Sequence, residues 1–513
     1  MKKLSLCLAA FAIAAGAYAQ KNGDPQKYAK YITAEDARKH LSILASDEFE
    51  GRETGKPGAD KAANYIANEF KKLGLQAPVN GSYFLNVPLV ENSTKISFSL
   101  NGQDLSNGKD FVAARGAAAD KSIDASEVVF IGYGTDAEIG NVDLTNKVLL
   151  WVNEDKPEAG KTPNTSYRLS TTRTQILKSL QSKNPALILA ANGEVTNMLK
   201  RFGSTVLAPR LSIKTDLAKS ANQQAPVLNV TTEVADQLGK SSGKAYADLK
   251  NTSAQILKAN VKVNIHTDIK DVKAVDVLGY MPGTDLKDEV LIFSAHYDHI
   301  GLVSDPNAKD KVNNGADDDG SGTTGILEIA RAFTEAKKAG HGPRRSILFL
   351  GNVGEEKGLL GSEYYTDHPV FPLANTITDL NIDMIGRVGY EYIGKPDSAN
   401  YVYTIGSAML SKELHQVNED ADNKYVHIEQ DYKYDDPNDP NRFYYRSDHY
   451  NFAKHGVPII FYFNGVHDDY HQPGDEVSKI NFPLLAKRAQ LVFYTGWELA
   501  NRDKRPAVDT PAK

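Results

Sequence analysis

Leu291 to Gly322 reads LIFSAHYDHIGLVSDPNAKDKVNNGADDDGSG, and the fold follows from how that stretch is parsed. The apolar run Val290-Leu291-Ile292-Phe293 predicts a buried strand that ends in His296-Tyr297-Asp298-His299. Side chains alternate along a strand, so His296 and Asp298 leave it on the same side. A polar, glycine-containing loop then leads to Asp317, Asp318 and Asp319, and Gly320-Ser321-Gly322 opens a helix with Ile326, Leu327, Ile329, Ala330 and Phe333 at helical spacing. Histidine and aspartate at a strand end, facing acids at a helix start, are how an open α/β sheet builds a site at the carboxyl ends of its strands. Three adjacent carboxylates repel one another, and imidazole with carboxylates suits zinc. On this stretch alone, a cation site and a solvated turn with a capping aspartate both remain open.

Outward from it, the same pattern repeats. Ser346 to Asn352 is a buried strand followed by Gly354-Glu355-Glu356. Leu380 to Gly386 is a strand with Asp383 inside it, and Pro458 to Phe463 is a strand whose following loop holds Tyr470 and His471. Val277 to Tyr280, with a turn at Pro282-Gly283, is expected to pair as a hairpin with the strand before His296. Leu484 to Asn501 is a closing helix, and residues 504–513 read as a disordered tail.

N-terminal to the core, Lys2-Lys3, an apolar run and Ala17-Tyr18-Ala19 form a secretory signal over residues 1–19, too short for a membrane anchor. The only cysteine, Cys7, lies inside it, so the exported chain holds together without disulfides. Gln20 to Tyr31 reads as a flexible leader. Thr33 caps one helix, and Gly58 to Leu73 forms a second that stops at Gly74. Residues 20–87 are assigned with these helices to the domain formed by 270–503. Between them, residues 88–269 change texture to short β-like runs, with Val261 to Ile265 alternating as a half-buried strand does. A chain of 513 residues has room for two or three domains, and a net charge of −6 argues against a nucleic-acid partner.

The strand ends together offer His296, Asp318, Glu356, Asp383 and His471. Five ligands are too many for one closed zinc and suit two open ones sharing a carboxylate. Glu355 and Glu356 point apart if extended, so one can bind metal while the other serves as general base. Asp298 is placed to accept the free N–H of the His296 imidazole. An aspartate inside an apolar strand, as Asp383 is, is costly unless paired or metal-bound.

In these residues the chain resembles the secreted co-catalytic zinc aminopeptidases, the twenty-eighth family of metallopeptidases. The resemblance lies in His296 to His299, Gly315 to Gly322, Gly354 to Ser362, Asn381 to Gly386 and Tyr470 to Asp475, and covers Val275 to Arg502. Glu50-Gly51-Arg52 resembles the family's N-terminal part, and Gly132-Tyr133-Gly134 resembles an inserted β-rich protease-associated domain. The resemblance implies an α/β zinc exopeptidase fold, a mixed sheet flanked by helices, and two zinc ions per chain. It implies His296 and Asp383 on one zinc, Glu356 and His471 on the other, and Asp318 between them with a cis bond to Asp319. Glu355 would be the base, Asp298 would hold His296, and Tyr470 would bond the developing oxyanion. The implied activity is release of N-terminal residues from peptides with a free amino end, in the periplasm or outside the cell.

Three alternatives stand beside it. One is a single-zinc glutaminyl cyclase. Another is a carboxypeptidase using Arg387 or Arg446 as the cation for the substrate carboxylate. The third is a binding protein on an inactive scaffold, which the intact ligand set opposes. His299, His455 and His467 are expected not to be ligands, Ser447-Asp448-His449 cannot form a triad as neighbours, and the loop Asp435 to Asp439 is solvated or reads the substrate amine.

Overall fold

The computed structural model describes residues 23–510 except 114–119, 159, 161–165, 203–206, 215–223 and 398. The signal segment and Cys7 lie outside the described residues. The chain forms two units, one made of the sequence up to Val87 together with Lys273 onward, the other of Pro88–Val272.

The first unit is built on an eight-stranded mixed sheet. Its strands are β1 (Phe84–Asn86), β2 (Val275–Met281), β3 (Leu286–His296), β4 (Arg345–Asn352), β5 (Thr376–Ile382), β6 (Tyr401–Ile405), β7 (Glu429–Asp431) and β8 (Ile459–Phe463), in the order β1-β2-β4-β3-β5-β8-β6-β7. The four central strands β4, β3, β5 and β8 run parallel. Each of β4, β5 and β8 is buried along its whole length, as a strand covered on both faces must be. Parallel strands end on one side of the sheet, so the segments after β3, β4, β5 and β8 gather there.

The hairpin expected between Val277–Tyr280 and the His296 strand does not form. β2 pairs antiparallel with β4 and with β1, while β3 lies between β4 and β5. Both edges of β3 are taken by parallel partners, which leaves its sequence neighbour no place beside it.

The longer helices of this unit, among the described residues, are α1 (Ala34–Leu44), α2 (Pro57–Leu73), α3 (Gly320–Lys338), α4 (Leu360–Asp367), α5 (Lys412–Ala421), α6 (His449–Lys454) and α7 (Phe482–Asn501). Thr33 caps α1 by accepting the N–H of Asp36 at 3.1 Å, and α2 ends at Gly74 in the left-handed region, φ 77°. Phe333 of α3 packs on Phe493 and Trp497 of α7 and on Phe293 of β3, so the two long helices cover one sheet face together.

Two segments read as loose from sequence are anchored. The leader carries a short helix, Gln26–Ala29, and Tyr28 stacks on Trp497 with ring centroids 5.6 Å apart. The tail does not dangle at Asp503: Arg505 donates to the carbonyls of Ala374 and Thr376, and the Asp509 N–H donates to Leu410. Both segments are short and polar, and what ties them down lies far away in sequence.

Glu328 of α3 is fully enclosed beside α1 and accepts the N–H of Thr33 at 3.1 Å and a guanidinium N–H of Arg331 at 2.9 Å. Burial outweighs the arginine and pushes its carboxyl from 4.5 up to about 7. Between those pH values the folded chain binds a proton that the unfolded chain has lost, so stability falls as pH rises through the window. Glu328→Gln is expected to flatten that slope, gaining about 2 kcal/mol over the parent above the window, since Arg331 keeps Asp36 at 2.8 Å. Urea unfolding at several pH values measures it.

The second unit holds a nine-stranded mixed sheet. The long strand Gln255–Val272 pairs antiparallel with Leu89–Leu100 and with Lys121–Phe130. Val261, Val263 and Ile265 face its core and Lys262 and Asn264 face water, the alternation read from sequence. Val148–Val152 and Leu187–Ala191 run parallel at its centre, entirely buried.

Candidate metal centre

The segments after the central strands bring one acidic and imidazole cluster together. His296 ends β3, and its Nδ1 lies 3.1 Å from the backbone carbonyl of Asp298. A carbonyl only accepts, so Nδ1 carries the hydrogen and Nε2 presents its lone pair to the cluster. Nε2 lies 3.3 Å from Oδ1 of Asp318, 3.7 Å from Oδ2 of Asp383 and 3.9 Å from Oε2 of Glu355. On the other side, Nε2 of His471 lies 3.1 Å from Oδ2 of Asp318 and 3.2 Å from Oε2 of Glu356. Asp318 thus stands between two sets of ligand-type atoms, one oxygen toward each.

The acidic triplet resolves into three tasks. Asp317 accepts the N–H of Gly386 at 2.7 Å, and Asp319 accepts those of Gly322 and Met384 at 2.8 and 3.0 Å. These two carboxylates tie the α3 start to the end of β5, and only Asp318 faces the cluster. Asp475, last residue of the His471 motif, accepts the N–H groups of Asp317 and Asp318 and anchors the turn from the opposite side. The Asp318–Asp319 peptide bond is cis. Gly322 sits so close to β5 that a Cβ there would meet the Ile382 carbonyl at 2.3 Å, so the motif needs glycine at that position.

The two adjacent glutamates diverge toward the two histidine sides. Burial holds the Glu355 carboxyl well above the usual carboxylate range, with Glu356 and Asp383 pushing the same way and His296 opposing. Burial works against a charged His471, yet the carboxylates of Asp318 and Glu356 prevail and push its imidazole up to about 10. Tyr470 stacks on His471 with centroids 3.9 Å apart, and its Oη accepts a hydrogen bond from Arg446 at 3.2 Å. Burial raises its phenol.

One expected contact differs. The Asp298 carboxylate stays 3.8 Å from the His296 ring, because Oδ2 accepts the hydroxyl of Thr54 at 2.6 Å and Oδ1 accepts the N–H of Glu355 at 3.2 Å. Asp298 orients His296 through its main chain and Glu355 through its side chain. Asp383 is held by Ser447, whose hydroxyl donates to it at 2.6 Å. His449 lies 2.8 Å from the Tyr444 carbonyl through Nε2, so Ser447-Asp448-His449 is no triad. In the charged loop, Asp435 accepts the N–H of Gly406, just past β6, and Asp439 that of Phe443, so both brace backbone of the protein.

One histidine expected not to be a ligand, His299, joins the site, while His467 reaches only Asp317 behind it. His299 is fully buried, with Nδ1 2.9 Å from Oε1 of Glu356 and 3.8 Å from Oδ2 of Asp318. Nε2 of His467 lies 3.1 Å from Asp317. The signal for His299 was there in its place just past the strand end, although period-two alternation turned it away from His296. Arg52 is 1% exposed and donates to the carbonyls of Tyr297, Leu44, Asn314 and Gly315 at 2.6–2.9 Å. It clamps the two ends of the loop between β3 and α3, which carries Asp318, to each other and to the end of α1. Arg52→Met leaves these enclosed carbonyls without donors, and is expected to cost about 3–5 kcal/mol in denaturant unfolding and to weaken metal binding. Arg52→Lys should recover part of both.

The donor set fits a cation. Among buried atoms without a hydrogen-bond partner are Nε2 of His296, Nδ1 of His299, Oδ2 of Asp318 and Oε1 of Glu356. These atoms approach one another without hydrogen-bond alignment, as ligands converging on a common centre do. Among the described residues two groups satisfy ligand spacing, His296-Asp318-Asp383 and His299-Asp318-Glu356, with Asp318 in both.

Residues 276–496 match the profile of Peptidase family M28. A probable leucine aminopeptidase 2 from Trichophyton verrucosum (strain HKI 0517) is 25% identical over 287 residues, covering 51% of this chain and 52% of that protein. The chain thus spans about half the length of the curated relatives it matches. Among solved structures, an aminopeptidase from Aneurinibacillus sp. strain AM-1 superposes with a TM-score of 0.56 at 18% identity, covering 96% of this chain and 100% of that one. A zinc aminopeptidase from Bacillus subtilis superposes with a TM-score of 0.50 at 19% identity, covering 94% and 99%. At these identities the likeness is one of fold.

Proposed function

We propose that the chain, whose residues 276–496 match the profile of Peptidase family M28, is a zinc-dependent aminopeptidase that removes N-terminal residues from peptides. The observation that carries this reading is Asp318, shared by two convergent ligand groups beside a buried, protonatable Glu355. His296, Asp383 and Asp318 would hold one zinc, and Glu356, His471 and Asp318 a second, with His299 within reach of the second. Zinc bound there supplies Lewis acidity toward the substrate carbonyl and water of lowered pKa.

The chain's own groups do the rest. Glu355 takes a proton from the attacking water, and burial makes its carboxylate a stronger base than an exposed one. The same oxygen returns that proton to the departing amine, so the carboxylate is regenerated each turnover. Tyr470 donates its hydroxyl hydrogen to the developing oxyanion. Arg446 can only donate, so the Tyr470 oxygen accepts from it and the phenolic hydrogen is left for the substrate. Phe443, Phe461, Phe463 and Val466 wall the cleft around Asp318, Glu355 and Asp383 and limit water there. Asp298 sets the Glu355 backbone, and Ser447 sets Asp383.

The test is hydrolysis of leucyl-p-nitroanilide by zinc-loaded protein, with a peptide blocked at its amino end as control. Cleavage of the blocked peptide at a rate equal to the free one would reject aminopeptidase action. Two zinc ions per chain are expected by elemental analysis. We place the enzyme outside the cytoplasm because residues 1–19 read as a secretory signal. No described helix is long and apolar enough to cross a membrane.

A further inference from the structure

Arg387 and Arg446 are the two cations that sequence places near the motifs, and the structure separates them. Arg387 is committed to acids of the protein, 2.9 Å from Asp469 and 3.7 Å from Asp475. Arg446 pairs with no carboxylate among the described residues, and it lines the cleft that reaches Asp318, Glu355 and Asp383. Its guanidinium is nonetheless held in place: the carbon lies 4.8 Å from the centroid of the Phe443 ring, and one N–H binds Oη of Tyr470 at 3.2 Å. A guanidinium has five N–H donors in a planar fork, and a carboxylate is the group that takes two of them in parallel. The buried Arg52 and Arg345, by contrast, spend their guanidinium N–H groups on carbonyls and an acid of the protein. Arg446 is exposed, anchored at one N–H, and shares its cleft with the general base. Across the same cleft it faces Asp318, Glu355 and Asp383.

We infer that Arg446 is a recognition residue for a carboxylate carried by the substrate, so that the site reads a negative charge on the peptide as well as its free amine. The inference rests on the aminopeptidase reading and names the substrate class of the same site. Two sources share this chemistry: the terminal carboxylate of a very short peptide, and the side chain of an acidic residue.

Two matched pairs tell them apart on the zinc-loaded full chain: leucyl-glycine against leucyl-glycine amide, and glutamyl- against glutaminyl-p-nitroanilide. In one pair the charged member is expected to show a kcat/KM about 10- to 100-fold above its neutral partner, the range of a charge-assisted hydrogen bond. Arg446→Gln brings that ratio to within about 3-fold of one, Arg446→Lys keeps part of it, and added salt lowers it in the parent. Because each ratio is taken within one protein, any change transmitted through Tyr470 cancels. Ratios near one for both pairs in the parent, or a ratio that survives Arg446→Gln, overturn the inference while leaving the peptidase reading intact. No hydrolysis of leucyl-p-nitroanilide by the zinc-loaded parent overturns both.

Discussion

Glu355→Gln is expected to lower kcat by about 10²- to 10⁴-fold while zinc content stays at the parent level. Glutamine keeps the shape of the side chain and the backbone N–H that Asp298 accepts, so the site is not dismantled. What it loses is the oxygen that takes up and returns a proton. Glu355 belongs to neither convergent ligand group, which is why metal and turnover should part company in this variant. Steady-state kinetics with leucyl-p-nitroanilide and elemental analysis of the same preparation decide it. A variant with activity within about 10-fold of the parent would remove Glu355 from the proton path.

Asp318→Ala should do the reverse, losing metal and activity together. Its two oxygens face His296 and His471 at 3.3 and 3.1 Å, so one substitution weakens both ligand groups. Zinc is expected to fall to one ion per chain or fewer after dialysis, and kcat/KM by more than about 10²-fold. The neighbour supplies the contrast. Asp317 accepts N–H and hydroxyl hydrogens from Gly386 and Ser321, a task asparagine can partly keep, so Asp317→Asn should retain zinc. Equal zinc loss in the two variants would mean that the triplet acts as an undivided patch of charge, and the bridging role of Asp318 would fall.

The candidate site was legible because its parts are local. A strand ending in His296, a helix starting after Asp319 and a buried strand interrupted by Asp383 each announce themselves by periodicity and by a polar residue where an apolar one is expected. What could not be read was pairing. Nothing in Asp317-Asp318-Asp319 says which carboxylate faces inward, since the answer lies in N–H groups some 65 residues later, at Met384 and Gly386. His299 was passed over for the same reason, its neighbour Glu356 being remote in sequence. Arg52 stands in the sequence only within a stretch that resembles the family's N-terminal part, and only the fold shows that loop carbonyls have closed around it.

By itself the sequence determined that this is an α/β chain with an inserted β-rich segment, and that five ligand-type residues and a second glutamate sit at strand ends. Apolar periodicity and the residue types that metals prefer are properties of short stretches, so they survive in one dimension. Tertiary structure alone decided that β2 lies beside β4 and not β3, that Asp298 holds Glu355 by its carboxylate and His296 by its carbonyl, and that Arg387 pairs with acids while Arg446, among the described residues, pairs with none. Each of those is a choice among partners of equal chemistry, settled by which groups the packed chain leaves within about 3 Å of one another.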